Sequence, residues 1–274
     1  MARLSNQTFS TDHARKTSQF YDELHIHYEK VGVFSENNPY VTTYGLLRDR
    51  MASTGLGDKV RDGVVLDAGC GAWQKGTRVL RQFSPRRIEA VDLNERSIAH
   101  CKTDPQHNTN YSVQDLARLN FADETFDVVV CEGVLHHTLD PATTLNELIR
   151  VLKVGGYLAL GVYCWRFPYS FLSATLKNTV GRIVDPKTFL AMSGKNKLML
   201  ILADLIFVPI EHTIKEKEIL NHLASKRCEV IFNDFMIWPL PLLGERSALV
   251  FKLTGFNYRH IFAAKKGPLD PGRA

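Results

Sequence analysis

Three aspartates follow three successive apolar runs, and their positions could bring three carboxylates together. Asp67 lies in the run VVLDAGCG, Asp92 ends the run IEAVD, and Asp115 follows the run YSVQ. A carboxylate at the end of the second strand can accept both hydroxyl groups of a ribose that lacks a 2′-phosphate, and Asp115 is placed to accept from an adenine amino group. Either residue alone could instead be a helix cap or a solvated loop residue. Three carboxylates at successive strand ends predict one nucleoside-binding crevice.

The turn after Asp67 carries Gly69 and Gly71, which allow a tight turn and let a ligand approach the backbone. A dinucleotide fingerprint would need glycine where the chain has Gln74, and a phosphate loop would need lysine where it has Thr77. A carboxylate before the glycines would repel a pyrophosphate and suits a ligand with an ammonium group, as S-adenosylmethionine has. A merely tight turn is the alternative interpretation.

Two adjacent histidines, His136 and His137, follow the fourth apolar run. A histidine is suited to proton transfer near neutral pH, so the pair contains our candidates for a general base. Adjacent residues point in different directions, and we expect at most one of them to face a substrate. The alternative is that the pair caps local backbone.

The elements that must position these residues alternate between short apolar runs and amphipathic segments. Such alternation predicts a parallel sheet covered on both faces by helices. The predicted strands are Val64–Ala68, Ile88–Asp92, Tyr111–Gln114, Phe126–Cys131, Tyr157–Tyr163 and Tyr258–Ala264. The predicted helices between them are Thr77–Phe83, Arg96–Lys102 and Pro141–Leu152, the last capped by Asp140 and stopped by Gly155-Gly156. Several short helices are expected over residues 1–60.

Composition narrows the class of protein. The 274 residues are 45% hydrophobic and 23% charged, with a formal charge of +5 that is spread along the chain, so we expect no nucleic-acid partner. The five cysteines are far apart with no Cys-x-x-Cys pair, which favours buried reduced thiols in a cytoplasmic protein over a disulfide framework or a metal site. The N-terminus lacks an apolar signal segment, and the run 198–210 is too short to cross a bilayer, so no membrane span is expected.

Four stretches together resemble the Rossmann-like, class I S-adenosylmethionine-dependent methyltransferases, especially the small-molecule and quinone methyltransferases. They are VVLDAGCG at 64–71, AVDLNERSI at 90–98, QDLARLNFADETFDVVVCEGVLHHTLDP at 114–141, and RVLKVGGYLAL at 150–160. They follow the family's order and spacing. The family commonly has a third glycine where this chain has Trp73, which could pack over the cofactor, line the acceptor pocket or be a buried aromatic at a helix start.

The resemblance implies both the fold and the site. The fold would be α/β, a doubly wound, mostly parallel seven-stranded sheet with N-terminal helices and a helical cap insertion. Asp67, Gly69 and Gly71 would border the methionine moiety of S-adenosyl-L-methionine. Asp92 with Leu93 would hold the ribose, Asp115 with Leu116 the adenine, and Glu132 with Gly133 would line the cleft after the fourth strand.

We therefore expect four segments. They are an N-terminal helical lid at 1–63, the cofactor-binding core at 64–165, a cap over the acceptor at 166–240, and the end of the core with a tail at 241–274. The expected activity is methyl transfer to oxygen or carbon of a small, largely hydrophobic organic acceptor, with a homodimer possible. An RNA or protein methyltransferase and a non-catalytic S-adenosylmethionine-binding protein are the alternatives.

Overall fold

All six predicted strands are confirmed in a computed structural model of the chain, and a seventh joins them. The structure describes residue 4 and residues 10–31, 42–103, 108–165, 169–194, 199, 202–203, 206–212, 214–236 and 256–267. The strands are β1 (Val64–Ala68), β2 (Arg87–Asp92), β3 (Thr109–Val113), β4 (Phe126–Glu132), β5 (Leu152–Trp165), β6 (Cys228–Met236) and β7 (Phe256–Lys265).

These strands form one seven-stranded sheet in the order β3-β2-β1-β4-β5-β7-β6. Strands β1 to β5 pair in parallel, and β7 is antiparallel to both β5 and β6. The predicted doubly wound, mostly parallel seven-stranded sheet is therefore confirmed, with one antiparallel hairpin at its edge. Because the five parallel strands all end at the same edge, their final residues share one crevice.

Helices cover both faces of the sheet. The described helices are α1 (Thr11–Val31), α2 (Thr42–Ser53), α3 (Leu56–Val60), α4 (Lys75–Arg81), α5 (Glu95–Cys101), α6 (Pro141–Val151), α7 (Tyr169–Asn178), α8 (Val180–Ile183), α9 (Pro186–Ser193) and α10 (Glu216–Ser225), with a 3₁₀ turn at Leu135–His137. No helix among the described residues is long and apolar enough to span a bilayer.

Successive residues of the central strands point to opposite faces of the sheet, and apolar residues pack against helices on each face. On one face Leu66 and Val129 pack with Leu145 of α6, and on the other Val65 and Val130 pack with residues of α2 and α4. All five residues of β1 are buried. A central parallel strand covered by helices on both sides requires such an uninterrupted apolar run.

The start of α6 is as predicted, and its end is not. The Asp140 side chain accepts from the backbone N–H groups of the first turn, and Pro141 follows it. The helix ends at Val151 and β5 begins directly at Leu152, before the glycine pair. Gly155 has a φ of 77° and lies where the register against β4 shifts. The glycines therefore form a bulge rather than stop a helix.

The two flanking segments agree with expectation only in part. Several helices occur over residues 1–60 as predicted, although the first of them, α1, is 21 residues long. The span 166–240 is not one insertion. Its last part joins the core, because β6 pairs with β7 in the sheet and α10 packs against β6. Burial along β6 alternates between half-buried and exposed positions, as expected of an edge strand.

Candidate functional site

A cavity of about 490 Å³ opens at the carboxyl edge of the sheet, beneath α1. Ten of the eleven residues predicted for the site line it. These are Asp67, Gly69, Gly71, Asp92, Leu93, Asp115, Leu116, Glu132, Gly133 and His137. The structure thus brings together residues that the sequence distributes over four strand ends, while His136 lies elsewhere.

Three glycines at this edge have a backbone conformation that other residues rarely adopt. The φ angles are 84° at Gly69, 54° at Gly71 and 78° at Gly133. A Cβ at Gly69 would also collide with the Val134 side chain. The left-handed backbone therefore favours glycine at all three positions, and at Gly69 the close approach of Val134 gives a second reason.

Asp92 connects the end of β2 to the glycine loop. Its carboxylate accepts from Gly71 N at 2.9 Å and from Asn94 N at 2.8 Å, and burial raises its pKa. The next residue, Leu93, leaves 51% of its surface exposed although it is apolar. A carboxylate beside an exposed apolar side chain matches a ribose joined to a flat base.

Asp115 and Leu116 follow β3 and line the cavity on the side of Asp92 that is further from β1. Asp115 is exposed and accepts from Ala117 N at 2.9 Å, whereas Leu116 is buried. An exposed carboxylate next to a buried apolar side chain leaves an acceptor available at the cavity edge, consistent with the predicted adenine position.

Asp67 is 1% exposed and only one of its oxygens is satisfied. Oδ2 accepts from the backbone N and the hydroxyl of Thr77, both at 2.6 Å, whereas Oδ1 has no hydrogen-bond partner among the described residues. Burial raises the pKa of Asp67 to about 6, although the hydrogen bonds from Thr77 lower it. An unsatisfied buried carboxylate oxygen in the cavity wall fits the ammonium group of S-adenosylmethionine.

Glu132 ends β4 and is also buried in the cavity wall. Its Oε1 accepts from Lys75 Nζ at 2.6 Å and lies 3.1 Å from Nε2 of His260. Burial alone would raise the pKa of Glu132, but the Lys75 ammonium and the His260 imidazole outweigh it and hold that pKa well below its ordinary value. Glu132 is therefore an anion and not a proton acceptor at neutral pH.

Sequence reasoning missed two cavity residues beside Glu132, namely Lys75 and Tyr258. Tyr258 is fully buried beside Glu132. Burial, the charge of Glu132 and a hydrogen bond to that carboxylate raise the pKa of the Tyr258 hydroxyl well above its ordinary value. A polar YRH triplet opening the last strand was the signal that could have pointed to this corner.

The two histidines point in different directions, and His136 is a correction to the predicted site. His136 is 0% exposed, packs against the Tyr163 ring at a centroid distance of 4.6 Å, and does not line the cavity. Burial holds its pKa well below 6.5, so it is a neutral core residue. His137 does line the cavity, and its Nδ1 donates to the carbonyl of Ile210 at 2.7 Å.

Helix α1 covers the cavity and is bound to its edge. Tyr21 and His25 are among the α1 residues that line it. Asn94 Nδ2 donates to Asp22 Oδ1 at 2.8 Å and to the Ser18 hydroxyl at 3.0 Å. Burial, with the nearby charge of His100, lowers the pKa of His25 to about 4.

The segment expected to form the cap lies one layer further out. No residue between 174 and 236 that the structure describes lines the cavity. Instead, Phe189 and Phe207 pack against Phe20 of α1. Trp73 is half-buried, lines the cavity and also packs against this cluster.

Comparisons with known proteins locate the same region. A family model described as "Methyltransferase domain" matches residues 66–160. A malonyl-[acyl-carrier protein] O-methyltransferase from Marinomonas sp. is 33% identical over 97 residues, which is 35% of this chain and 36% of that protein. A ubiquinone biosynthesis O-methyltransferase from Coxiella burnetii is 30% identical over 97 residues, 34% of this chain and 41% of that protein. The chain thus matches well under half the length of these relatives.

The similarity to solved structures extends beyond residues 66–160. A SAM-dependent methyltransferase from Methanosarcina mazei superposes with a TM-score of 0.54 at 21% identity, over 76% of this chain and 94% of that one. Geranyl diphosphate C-methyltransferase from Streptomyces coelicolor gives a TM-score of 0.52 at 17% identity, over 74% of this chain and 71% of that one. At such identities the likeness concerns the fold. Residues 66–160 thus match a methyltransferase domain, and the sheet that contains them has the fold of these solved structures.

Proposed function

We propose that this protein transfers the methyl group of S-adenosylmethionine to oxygen or carbon of a small, largely hydrophobic organic acceptor. The observation that carries the proposal is one cavity with two unlike parts. One set of lining residues, at the ends of β1 and β2, consists of carboxylates and positive-φ glycines, and the other set consists of aromatic and aliphatic side chains. The first suits the cofactor and the second an apolar acceptor.

The acceptor part is enclosed chiefly by apolar groups. Its lining includes Tyr21, Trp73, Val134, Leu139 and Tyr163. A pocket of apolar walls with a few polar groups favours an organic molecule over a nucleic acid or a protein surface. The relatives from Marinomonas and Coxiella are O-methyltransferases by name, which supports oxygen as the acceptor atom, although they match this chain only in the core.

The chemistry asks little of the protein beyond alignment and removal of a proton. The bound cofactor supplies a methyl group already activated on a sulfonium centre. The chain must hold the acceptor in line with it, and such positioning can supply much of the rate. A neutral hydroxyl or carbon acid also needs a base. We assign that role to His137, because a carbonyl can only accept, so Nδ1 carries the proton and the lone pair of the neutral ring is on Nε2.

Binding and turnover measurements test the proposal. Protein purified from cells should carry S-adenosylmethionine or S-adenosylhomocysteine, detectable by mass spectrometry, and either ligand should raise the melting temperature. A panel of phenols, quinols and prenylated acceptors should then contain compounds that cause release of S-adenosylhomocysteine. Binding of neither ligand would overturn the assignment. Release of S-adenosylhomocysteine only with RNA or protein acceptors would favour an RNA or protein methyltransferase. Binding without turnover would favour a non-catalytic S-adenosylmethionine-binding protein.

A further inference from the structure

One row of residues across four strands contains three polar side chains and a glycine. Glu132 of β4 is in register with Gly161 of β5, Gly161 with His260 of β7, and His260 with Asp234 of β6. Glu132 and His260 are two strands apart, yet they touch because Gly161 between them has no side chain. A Cβ at Gly161 would overlap Oε2 of Glu132. Because residue 161 has no side chain, the side chains of Glu132 and His260 can meet across β5.

Arg50 of α2 completes the connection. It is 8% exposed, its Nη1 lies 3.0 Å from Nδ1 of His260, and its Nη2 donates to Asp234 Oδ2 at 2.8 Å. An arginine only donates, so Nδ1 of His260 is the acceptor and its proton sits on Nε2. Nε2 must then donate to Oε1 of Glu132, which also accepts from Lys75. Arg50 thus sets the histidine tautomer that Glu132 requires.

Glu132, the last residue of this row, lines the cavity on the side away from the expected ribose and adenine positions. The ribose and adenine positions follow β2 and β3, Asp67 lies in β1, and Glu132 follows on β4, the next strand along the edge. An adenosyl ligand that starts at β3 and passes over β1 therefore directs its amino-acid end towards Lys75 and Glu132. That end is a zwitterion, and a fixed cation beside a fixed anion is complementary to it.

We propose that His260 and Arg50, which do not line the cavity, are positioning residues that hold the Lys75–Glu132 pair in place to bind the α-amino-acid end of the cofactor. The inference rests on the proposed function. Lys75 faces the carboxylate of that end, while Glu132 and Asp67 face its ammonium. Asp67 Oδ1 is buried and has no hydrogen-bond partner among the described residues. It is therefore available to an ammonium donor, and Glu132 adds a second buried carboxylate in the same cavity wall.

The alternative is that the row is only a structural connection between α2 and the β6–β7 hairpin. The two roles differ in which ligand they affect. A loosened fold weakens binding of every nucleoside, whereas a displaced Lys75–Glu132 pair weakens only ligands that have an amino-acid end. S-adenosylhomocysteine has that end, and 5′-methylthioadenosine has the same nucleoside without it. The ratio of the two affinities therefore reports on the pair alone.

A matched pair of substitutions at His260 gives the test, read by calorimetry with both nucleosides. His260→Asn can still face Arg50 but is too short to reach Glu132, whereas His260→Gln places an amide donor near the position of Nε2. We expect His260→Asn to weaken S-adenosylhomocysteine about tenfold, as for one lost hydrogen bond to a charged group, and to change 5′-methylthioadenosine by less than twofold. His260→Gln should recover most of the loss.

The control is His222→Phe, because His222 is an equally buried histidine on α10 that bonds Asn146 and does not line the cavity. It should leave both affinities unchanged. Equal loss for the two nucleosides in His260→Asn, or no loss, would overturn the inference, and His260→Phe gives the same comparison should the asparagine variant not fold. Failure of the wild-type protein to bind either nucleoside would instead contradict the proposed function.

Discussion

Asn94 and Asp22 tie the edge of the cofactor cavity to its cover. The Asn94 side chain donates to Asp22 of α1 at 2.8 Å, and the Asn94 backbone N–H donates to Asp92 Oδ1, also at 2.8 Å. One residue therefore touches both the carboxylate expected to hold the ribose and the helix that lies over it. We therefore expect closure of α1 and occupation of the ribose position to be coupled through this contact.

The first prediction follows from that coupling. Asp22→Ala removes the charged acceptor on α1 and leaves Ser18 to accept from Asn94, so α1 should open more often and S-adenosylhomocysteine should dissociate several-fold faster in stopped-flow measurements. The loss corresponds to one hydrogen bond to a charged group, roughly 1.5–3 kcal/mol at most. Glu23→Ala, which removes only a surface ion pair with Lys187, is the control. Equal dissociation rates in the two variants would refute the coupling.

The second prediction concerns Asp92 itself. Asp92→Ala removes the acceptor for Gly71 N and the expected partner of the ribose hydroxyls. S-adenosylhomocysteine should bind at least tenfold more weakly, since one or two charge-assisted hydrogen bonds of about 1.5–3 kcal/mol each are lost. Asp123→Ala, which removes an exposed carboxylate paired with Arg150, should bind normally in the same calorimeter. Unchanged affinity in Asp92→Ala would make the ribose assignment wrong.

The third prediction is a pH dependence caused by Asp67. Burial raises its pKa from 3.8 to about 6 in the folded protein, so the folded state holds the proton more tightly than the unfolded chain does. The contribution of this group to stability is therefore lost as pH rises from about 4 through 6. A ligand ammonium favours the ionised carboxylate, so affinity for S-adenosylhomocysteine should increase over that range with release of a proton.

Calorimetry at pH 6 in two buffers of different ionisation enthalpy measures that proton. Asp67→Asn keeps an acceptor for Thr77 but cannot ionise, and it should show no proton release. 5′-Methylthioadenosine lacks the ammonium and should show none with the wild-type protein. Proton release that persists in Asp67→Asn would point to another carboxyl, with Asp92 the first to examine because burial also raises its pKa.

The fourth prediction separates the adjacent histidines. His137→Ala should lower turnover by about 10²–10⁴-fold with little change in cofactor affinity, the effect expected of a lost general base. His136→Phe should retain turnover within tenfold, because His136 is buried away from the cavity and neither ring nitrogen has a hydrogen-bond partner among the described residues. A loss below tenfold at His137 would leave it a positioning role only.

The sequence predicted those parts of the site that depend on local pattern. Each strand-end residue is specified by a short apolar run and the turn after it, so the order of these runs alone assigns Asp67, Asp92 and Asp115 to one edge of the sheet. The positive φ of Gly69 and Gly71 follows from the same local logic.

The parts of the site that the sequence did not predict depend on contacts between residues that lie far apart in the chain. Lys75 and Glu132 are 57 residues apart and meet because β1 pairs with β4, whereas His260, 210 residues from Arg50, reaches this corner through the antiparallel pairing of β7 with β5. Strand β6 was missed because an edge strand with polar residues on its exposed face lacks the continuous apolar run of the central strands. A histidine within the last apolar strand was the available sign of a buried polar partner.

The last prediction concerns the segment 166–240, for which we propose a cap role exerted through α1. Phe207 contacts the rings of Phe20 and Phe189, so Phe207→Ala should loosen the support of α1. Because Phe207 is only partly buried, the cost should be about 2 kcal/mol, below the 3–5 kcal/mol of a fully buried phenylalanine. Acceptor KM should rise, the melting temperature should fall, and S-adenosylhomocysteine affinity should stay near that of the wild type.

Tyr21→Leu is the matched variant, since Tyr21 lines the cavity and packs edge-on against His137 at a ring distance of 5.7 Å. It should change acceptor choice with a smaller change in melting temperature than Phe207→Ala, because leucine keeps most of the apolar packing of Tyr21 against the Phe20 cluster. Trp238, a further aromatic residue of the segment, lies outside the described residues. A product complex with the acceptor at least about 10 Å from all of 166–240, beyond packing contact, together with an unchanged acceptor KM in Phe207→Ala, would refute the cap role.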